Sequence, residues 1–471
     1  MRRGRARQLP QPIRERRGRR PVLDNEEASD AFEGGAARRV VQCRESRPRE
    51  GRPGMCPTSR STAWPLSALG MLLIAVPTLA CADADGRWGA ETLVRESITV
   101  VENPAVSRGS PRFSVPTAPL LEVGMSDGPA AYLFHGVRGA ARLEDGSVVV
   151  VDGGSQELRA FASDGRHLWT AGGRGAGPGE FREAVAVHRL PGDTLVVHDV
   201  TARRLTYFSP RGERLRDVPV NVDPSRGGIA GFFHDGSFLL VELEEGRPAV
   251  EGDVARGVAR YSRHRPDSYG PRLPLFEQPW AEFIGVNMGT RVVSTVRPYG
   301  RTGAARVLGG DIYSGQTDVY GFEVRDSTGS VRVSARLPHQ PRPISGGDIE
   351  ELLRTRHELG VPPANLRRYE RVRYPAEYPA WDRMQVRSTG EVWLRSVATP
   401  GDAVWPAEWL VFNRTGHFIA IVQTPARLAV REVGHDYLLG VAKDELGIET
   451  VQVFELESLT FQLGAADARA N

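Results

Sequence analysis

Cysteine is almost missing from this chain of 471 residues: Cys43, Cys56 and Cys81 are the only three, and none lies in 82–471. That larger part can hold no internal disulfide, no thiolate zinc site and no cysteine nucleophile. Its stability must come from burial alone, and a body of roughly 390 residues is ample for that. Lysine is reduced to Lys443, so every other cationic side chain is arginine, a bias that fits a GC-rich bacterial genome better than a physical need. Asparagine is sparse where the repeats described below lie: Asn221, Asn287, Asn365 and Asn413. Long apolar runs are missing too. The longest, Leu66 to Val76, has eleven residues and is bracketed by Pro65 and Pro77, short of the ~20 that a membrane-spanning helix needs.

What is present is ordinary globular material. Hydrophobic residues make 40% and charged residues 25% of the chain, which excludes collagen-like, coiled-coil and wholly disordered classes. Glycine (52) and proline (34) are plentiful, as a fold with many turns requires. The formal charge of +3 conceals an asymmetry. Residues 1–54 carry fifteen Arg against eight Asp and Glu, a surplus of seven, so the rest of the chain is four charges acidic. A nucleic-acid partner would need a basic face on the folded part. The basicity instead sits in a tail with no visible core, and nucleic acid is excluded as an expected partner.

Residues 55–81 read as an export signal. Arg60 supplies the positive region, Leu66 to Val76 the apolar core of ~7–15 residues, and Thr78-Leu79-Ala80-Cys81 the small residues of a cleavage point. Such a signal begins a chain, so residues 1–54 are expected to be a gene-start artefact, with a true disordered basic extension as the alternative. The site resembles a bacterial lipoprotein signal, in which the cysteine after the cleaved bond takes the lipid. Cys81 fits that role, while Pro77 and Thr78 depart from the usual aliphatic pattern. Cleavage near Ala80, Ala82 or Ala84 is the alternative. The expected location is outside the cytoplasm, in the periplasm or at the cell surface, with the membrane engaged only through the lipid.

An internal repeat decides the fold class. Asp152, Leu158, Phe161, Gly165 and Leu168 reappear as Asp199, Leu205, Phe208, Gly212 and Leu215, each at an offset of 47. Each unit opens on a turn, as in Leu143-Glu-Asp-Gly, and enters a β-branched run, here Val148–Val151. A second strand ends in an aromatic, and a turn closed by glycine follows, as in Phe161-Ala-Ser-Asp-Gly165 and Phe208-Ser-Pro-Arg-Gly212. Further copies start at His234, Asp311, Gly390 and Tyr437. Six such units make an all-β fold, a six-bladed β-propeller of four-stranded antiparallel blades. The last unit runs out of chain near Leu456, so Ala118-Pro-Leu-Leu-Glu-Val-Gly124 is expected to complete it and to hide edges that invite aggregation.

Two stretches carry a family resemblance. Gly172-Gly-Arg-Gly-Ala-Gly-Pro-Gly-Glu-Phe181 resembles the blade junction of bacterial exported NHL-like six-bladed β-propellers, and Val441-Ala-Lys-Asp-Glu-Leu-Gly-Ile-Glu-Thr-Val451 is similar to their last-blade hairpin. The resemblance covers 118–457. It implies a fold, and it brings no shared catalytic motif. The expected organisation is then a linker at 82–117, the propeller at 118–457 with a helical insert at 345–375 between blades four and five, and a tail at 458–471.

The chemistry is thin. The run 172–179 lacks the Gly-Lys-Ser/Thr end of a phosphate loop and leads into a strand, so it reads as a turn. The ten histidines show no HxxxH or HExxH spacing, and no Gly-x-Ser-x-Gly elbow or Asp-rich calcium loop is present. Asn287 could begin a channel-facing strand or be an ordinary hydrogen-bonding residue. No catalytic residue, metal ligand or cofactor is expected.

The distinctive segment is 345–381. Ser345-Gly-Gly-Asp348 forms a capping box, and Ile349, Leu352, Leu353 and Leu359 recur at helical spacing until Pro362-Pro363 ends the helix. Arg367, Arg368, Arg371 and Arg373 then interleave with Tyr369, Tyr374, Tyr378 and Trp381. Arg367, Arg368, Arg371 and Tyr374 are the candidate ligand contacts of a flap that grips an anionic or sugar-like group. The competing reading is an inter-blade brace with solvated arginines. The chain as a whole reads as a lipid-anchored binding scaffold for a protein or glycan. The rival is a lactonase-like propeller hydrolase or lyase with a divalent cation at the channel mouth. Mass spectrometry of the native N-terminus should find a mature chain beginning at a lipid-modified Cys81. A mature chain that keeps 1–54 would overturn the export reading, and an unmodified start at Ala82 or beyond would remove the lipid alone.

Overall fold

The computed structural model describes residues 90–456 and Gln462, apart from 96, 221–222, 267–271, 290 and 401–405. The expectations for 1–54, the export signal, Cys81 and nearly all of 458–471 lie outside the described residues. Four short strands come first: β1 (Glu91–Arg95), β2 (Ile98–Glu102), β3 (Arg112–Ser114) and β4 (Leu121–Val123). The repeats follow. Sheet one is β5 (Val137–Arg142), β6 (Val148–Asp152), β7 (Glu157–Phe161) and β8 (His167–Gly172). Sheet two is β9 (Ala184–Leu190), β10 (Thr194–Asp199), β11 (Arg204–Phe208) and β12 (Arg214–Pro219). Sheet three is β13 (Gly227–Phe232), β14 (Phe238–Glu244), β15 (Val254–His264), β16 (Leu273–Asn287) and β17 (Val292–Val296).

Sheet four is β18 (Gly303–Leu308), β19 (Asp311–Gln316), β20 (Tyr320–Arg325) and β21 (Val331–Leu337). Two helices, α1 (Gly346–Glu358) and α2 (Pro363–Arg371), separate it from sheet five. Sheet five is β22 (Trp381–Val386), β23 (Val392–Ser396), β24 (Ala407–Phe412) and β25 (Phe418–Thr424). Sheet six is β26 (Leu428–Val433), β27 (Tyr437–Lys443) and β28 (Glu449–Glu455), with β4 as its fourth strand. Within each repeat, neighbouring strands are antiparallel, and β4 pairs antiparallel with β28 in the register Val451 to Val123. The architecture is all-β with two helices, consistent with a β-propeller.

The first strands of successive sheets lie side by side: β5 by β9, β9 by β13, β13 by β18, β18 by β22, β22 by β26, and β26 by β5 again. Apolar clusters fill the seams in the same order. Phe161 shares one with Leu121, Val123, Leu439 and Val441 of sheet six. Phe208 shares another with Ala141, Val149 and Leu158 of sheet one. Phe412 lies edge-on to Phe322 of sheet four, ring centroids 5.4 Å apart. The glycine that closes the turn after such an aromatic is held by sterics as well as conformation. Gly212 has φ +79°, and a Cβ there would fall 2.6 Å from the Trp169 ring of the preceding sheet.

The repeated aspartate has a repeated task. Asp152 is buried and accepts the backbone N–H groups of His135 at 2.6 Å and Ser155 at 3.0 Å. Asp199, also buried, accepts those of Arg182 and Ala202, both at 2.8 Å. Donors and acceptors alike keep the offset of 47. Each carboxylate ties the approach to an inner strand to the turn after the second strand, where orphaned buried N–H groups would be costly.

The stretch 82–117 differs from the expected linker, because β1, β2 and β3 fall within it. β2 pairs parallel with β21, the outer strand of sheet four, and β1 pairs with β2. β3 pairs parallel with β25, the outer strand of sheet five. These strands lie outside the repeat, so no periodicity announces them. Asn103 pins the segment at the seam of sheets four and five: its amide donates to the carbonyls of Arg336 (3.0 Å) and Gly416 (2.9 Å) and accepts from the N–H of Phe418 at 2.7 Å. Asn287 ends β16 and does not begin an inner strand.

The three aromatics before the turns test the register. Phe161, Phe208 and Phe412 are at most 1% exposed. Truncating any one of them to alanine should cost about 3–5 kcal/mol in denaturant melts, since the seam cannot collapse onto the space left. Neutral results at all three positions would break the assigned register.

Candidate functional site

The insert between sheets four and five is ordered by local chemistry. Ser345 caps α1: its hydroxyl accepts the N–H of Asp348 at 3.2 Å, and the Asp348 carboxylate accepts the N–H of Ser345 at 2.8 Å. The pair Pro362-Pro363 does more than end α1, as expected from sequence. It opens a second helix, with Pro363 in the first turn of α2, where a missing N–H costs nothing. The stripe Ile349, Leu352 and Leu353 is half-buried, and Leu359 is exposed, so α1 buries no residue fully.

The insert is seated on sheet three. Val372 is buried with Ile284 and Val286, and Met288, Val293 and Tyr374 pack around them. Arg371 donates from Nη1 to the carbonyl of Asn287 at 2.9 Å. Arg297 donates from Nε to the carbonyl of Arg373 at 2.9 Å and from Nη1 to Glu282 at 3.0 Å. Glu282 is nearly buried and also takes Arg301 Nε at 2.6 Å. Burial works to raise the Glu282 pKa, but these arginine hydrogen bonds and charges win and hold it below the usual carboxylate range. Tyr374 donates its hydroxyl to the carbonyl of Tyr369 at 2.9 Å, and burial pushes that phenol up.

The candidate quartet therefore divides. Arg371 and Tyr374 hold the insert against sheet three. Arg367 is exposed on α2. Arg368 is half-buried, and its Nε is enclosed without a hydrogen-bond partner. Arg356 of α1 stands over the Tyr369 ring of α2 at 5.3 Å, a cation–π contact between the two helices. Cys81 lies outside the described residues.

A second concentration of charge escaped the reading of the sequence. Five of the six inner strands carry arginine: Arg138 and Arg142 on β5, Arg189 on β9, Arg306 on β18, Arg383 on β22 and Arg431 on β26. The signal lies in the sequence: Arg142 and Arg189 obey the offset of 47. Among the described residues no group of three or more His, Cys, Asp or Glu side chains is placed to hold a metal ion. Glu432 on β26 accepts the Tyr437 hydroxyl at 2.6 Å and the N–H of Arg142 at 3.3 Å, and burial raises its pKa. The Arg142 guanidinium stacks 4.5 Å from the centroid of Tyr437. The Gly-rich run 172–179 is the loop from β8 to β9, as expected of a turn.

No protein-family model matches the chain, and no curated protein matches its sequence. Solved structures match it by shape. A Bacteroides fragilis protein described as exported is 12% identical, covering 73% of this chain and 98% of its own at a TM-score of 0.41. A member of the DUF4221 family from Bacteroides vulgatus is 10% identical, covering 71% and 95% at a TM-score of 0.43. Virginiamycin B lyase from Staphylococcus aureus is 9% identical, covering 71% and 98% at a TM-score of 0.35. Likeness at this level transfers no activity, and the fold rests on the chain's own sheets and seams.

His188 on the inner strand β9 and His198 on its neighbour β10 give the protein a pH signature. Burial pushes His188 down to about 4, aided by the charges of His198 and Arg306. Burial also pushes His198 to about 4, against the pull of Asp199. The unfolded chain titrates its histidines near 6.5, so between about pH 6.5 and 4 it binds more protons than the folded state. Stability is then full above pH 6.5 and falls as pH drops through that window. Urea melts from pH 7 to 4.5 should show this loss, and His198→Phe should flatten it. A wild-type curve that is level across the window would contradict the burial of both rings.

Proposed function

We propose that this chain is an exported, NHL-like six-bladed β-propeller, anchored through Cys81, that works as a binding scaffold. Six repeats, six seams in cyclic order and completion of the last sheet by β4 support the blade count. The signal-like segment before Cys81 supports export, and no helix among the described residues is long and apolar enough to cross a membrane. The ligand face is the insert, and its ligand is an anionic glycan or an acidic protein surface.

One observation carries this assignment: the insert is bolted to sheet three by Arg371, Arg297 and Val372, while its neighbouring Arg367 stays exposed. A mount held rigidly by backbone bonds presents a cation at little entropic cost, which is the condition for useful recognition by arginine. The lactonase-like alternative would need oxygen ligands converging from several sheets. The inner strands are rich in arginine instead, and that favours the scaffold.

The double variant Arg367→Ala, Arg368→Ala should bind heparin oligosaccharides about tenfold more weakly by calorimetry. Its melting temperature should stay near that of the parent, because the exposed Arg367 contributes only ~0–1 kcal/mol and the enclosed Nε of Arg368 has no hydrogen bond to lose. Arg371→Ala should behave in the opposite way, lowering the melting temperature by releasing the insert. Unchanged heparin affinity in the double variant would remove the insert as the ligand face.

A further inference from the structure

One strand edge on the rim of the molecule is left open. We propose that β1 is the edge through which two copies of this chain pair, antiparallel and about a two-fold axis at Leu93. β1 ends the six-stranded sheet four, in the order β1-β2-β21-β20-β19-β18, and has no strand on its other side among the described residues. β2 and β1 together reach two strands beyond β21, about 10 Å at ~4.8 Å per strand. Such an edge offers a row of N–H and C=O groups that a further strand can take up. Glu91, Thr92, Leu93 and Val94 are all exposed, Val94 to 73%.

Every other outer strand is blunted by a device that natural sheets use against edge-to-edge joining. β3 and β4 are three residues long. β8 and β12 are bulged: Leu168 and Leu215 are skipped in the pairing with β7 and β11, and β12 ends in Pro219. β17 is flanked by the insert: Val293 packs on the cluster of Val372, and Arg297, the residue after the strand, bonds the carbonyl of Arg373. β1 has none of these protections. Its pairing with β2 runs unbroken from Glu91 opposite Glu102 to Arg95 opposite Ile98, and it holds neither proline nor glycine.

The edge reads Glu-Thr-Leu-Val-Arg, and that order selects a second copy as the partner. An antiparallel pair centred on Leu93 sets Glu91 of each copy opposite Arg95 of the other, Thr92 opposite Val94, and Leu93 opposite itself. Directly opposed residues interact most strongly, and opposite charges there favour pairing while like charges oppose it. Both ends of the pair thus join opposite charges, and its centre covers two leucines that are each 38% exposed in the single chain. A slip of one residue in either direction loses both charge pairs, which fixes the register. A two-fold pairing closes on itself, so the product is a dimer and not a fibre. The anchor proposed at Cys81 would assist the pairing and is not needed for it. Nine residues, 82–90, join Cys81 to β1, ~30 Å at full extension, so two copies anchored in one bilayer hold their edges at a high effective concentration.

Sedimentation of the full chain in mild detergent, up to ~200 µM because so small an interface is a weak one, should show a monomer–dimer equilibrium. Glu91→Arg alone sets like charges opposite each other at both ends, as does Arg95→Glu alone, and each should weaken self-association about tenfold. An equimolar mixture of the two single variants should associate as strongly as the parent, because a strand with two cations then faces one with two anions. So should the double exchange Glu91→Arg, Arg95→Glu in one chain, which also shows that the altered edge still folds. A parent chain that is monomeric at every concentration, or that grows past the dimer, overturns the proposal. So does parent-like association in both single variants, or a mixture or double exchange that stays monomeric. The insert variant Arg367→Ala, Arg368→Ala should dimerise as the parent does, whatever its heparin affinity, and loss of the dimer there would move the interface to the insert and overturn the assignment to β1.

Discussion

Everything in this architecture depends on how the last sheet is completed. β26, β27 and β28 would leave β28 as an open edge, a row of unmet N–H and C=O groups that another chain could join. β4 covers that row, and the seam beside it is fastened by carboxylates. Glu449 of sheet six accepts the N–H groups of Gly136 and Val137, at 2.7 and 2.8 Å, just where sheet one begins. At the next seam the equivalent N–H, that of Ala184, goes to the neutral amide of Gln156 at 2.8 Å. The joint where chain ends meet thus uses a charged acceptor for a task that an uncharged one performs within the continuous chain, and charge-assisted bonds are the stronger kind.

The near-absence of lysine, with Lys443 alone, shapes the rest. With arginine as nearly the sole cation, one side-chain type must brace, neutralise and recognise. Geometry divides these tasks. Arg371 donates to a carbonyl of a facing segment, Arg297 to a carbonyl and to Glu282, Arg395 forms a two-bonded pair with Asp382, and Arg367 reaches solvent. A fork that can meet two oxygens at once serves a backbone carbonyl or a ligand oxyanion equally well. For that reason a cluster of arginines in the sequence cannot be sorted into brace and contact before the fold is known.

Much of the fold was legible in residues. The offset of 47 located the strands of sheets one and two, because each repeat must solve the same packing problem with the same aspartate, aromatic and glycine. The stretch 118–124 was recognisable as the closing strand from the shortage of strands at the other end. Ser345 and Asp348 were legible as a helix start because a capping box is local. Three features were not. β2 and β3 pair in parallel with partners more than 200 residues away, and neither repeats anything. Pro363 can stop one helix or start the next, and only tertiary seating decides. Arg371 and Tyr374 looked like ligand contacts because their partners, the carbonyls of Asn287 and Tyr369, leave no mark in a pattern of side chains.

The strands β2, β3 and β4 follow one another along the outer edges of sheets four, five and six. Each is made early and finds its partner late: β4 waits for β28, almost at the end of the described chain. A growing polypeptide therefore keeps β2, β3 and β4 waiting until β21, β25 and β28 emerge in turn, and the last sheet is complete only when the C-terminal hairpin arrives. The same belt that is completed last then holds three sheets shut.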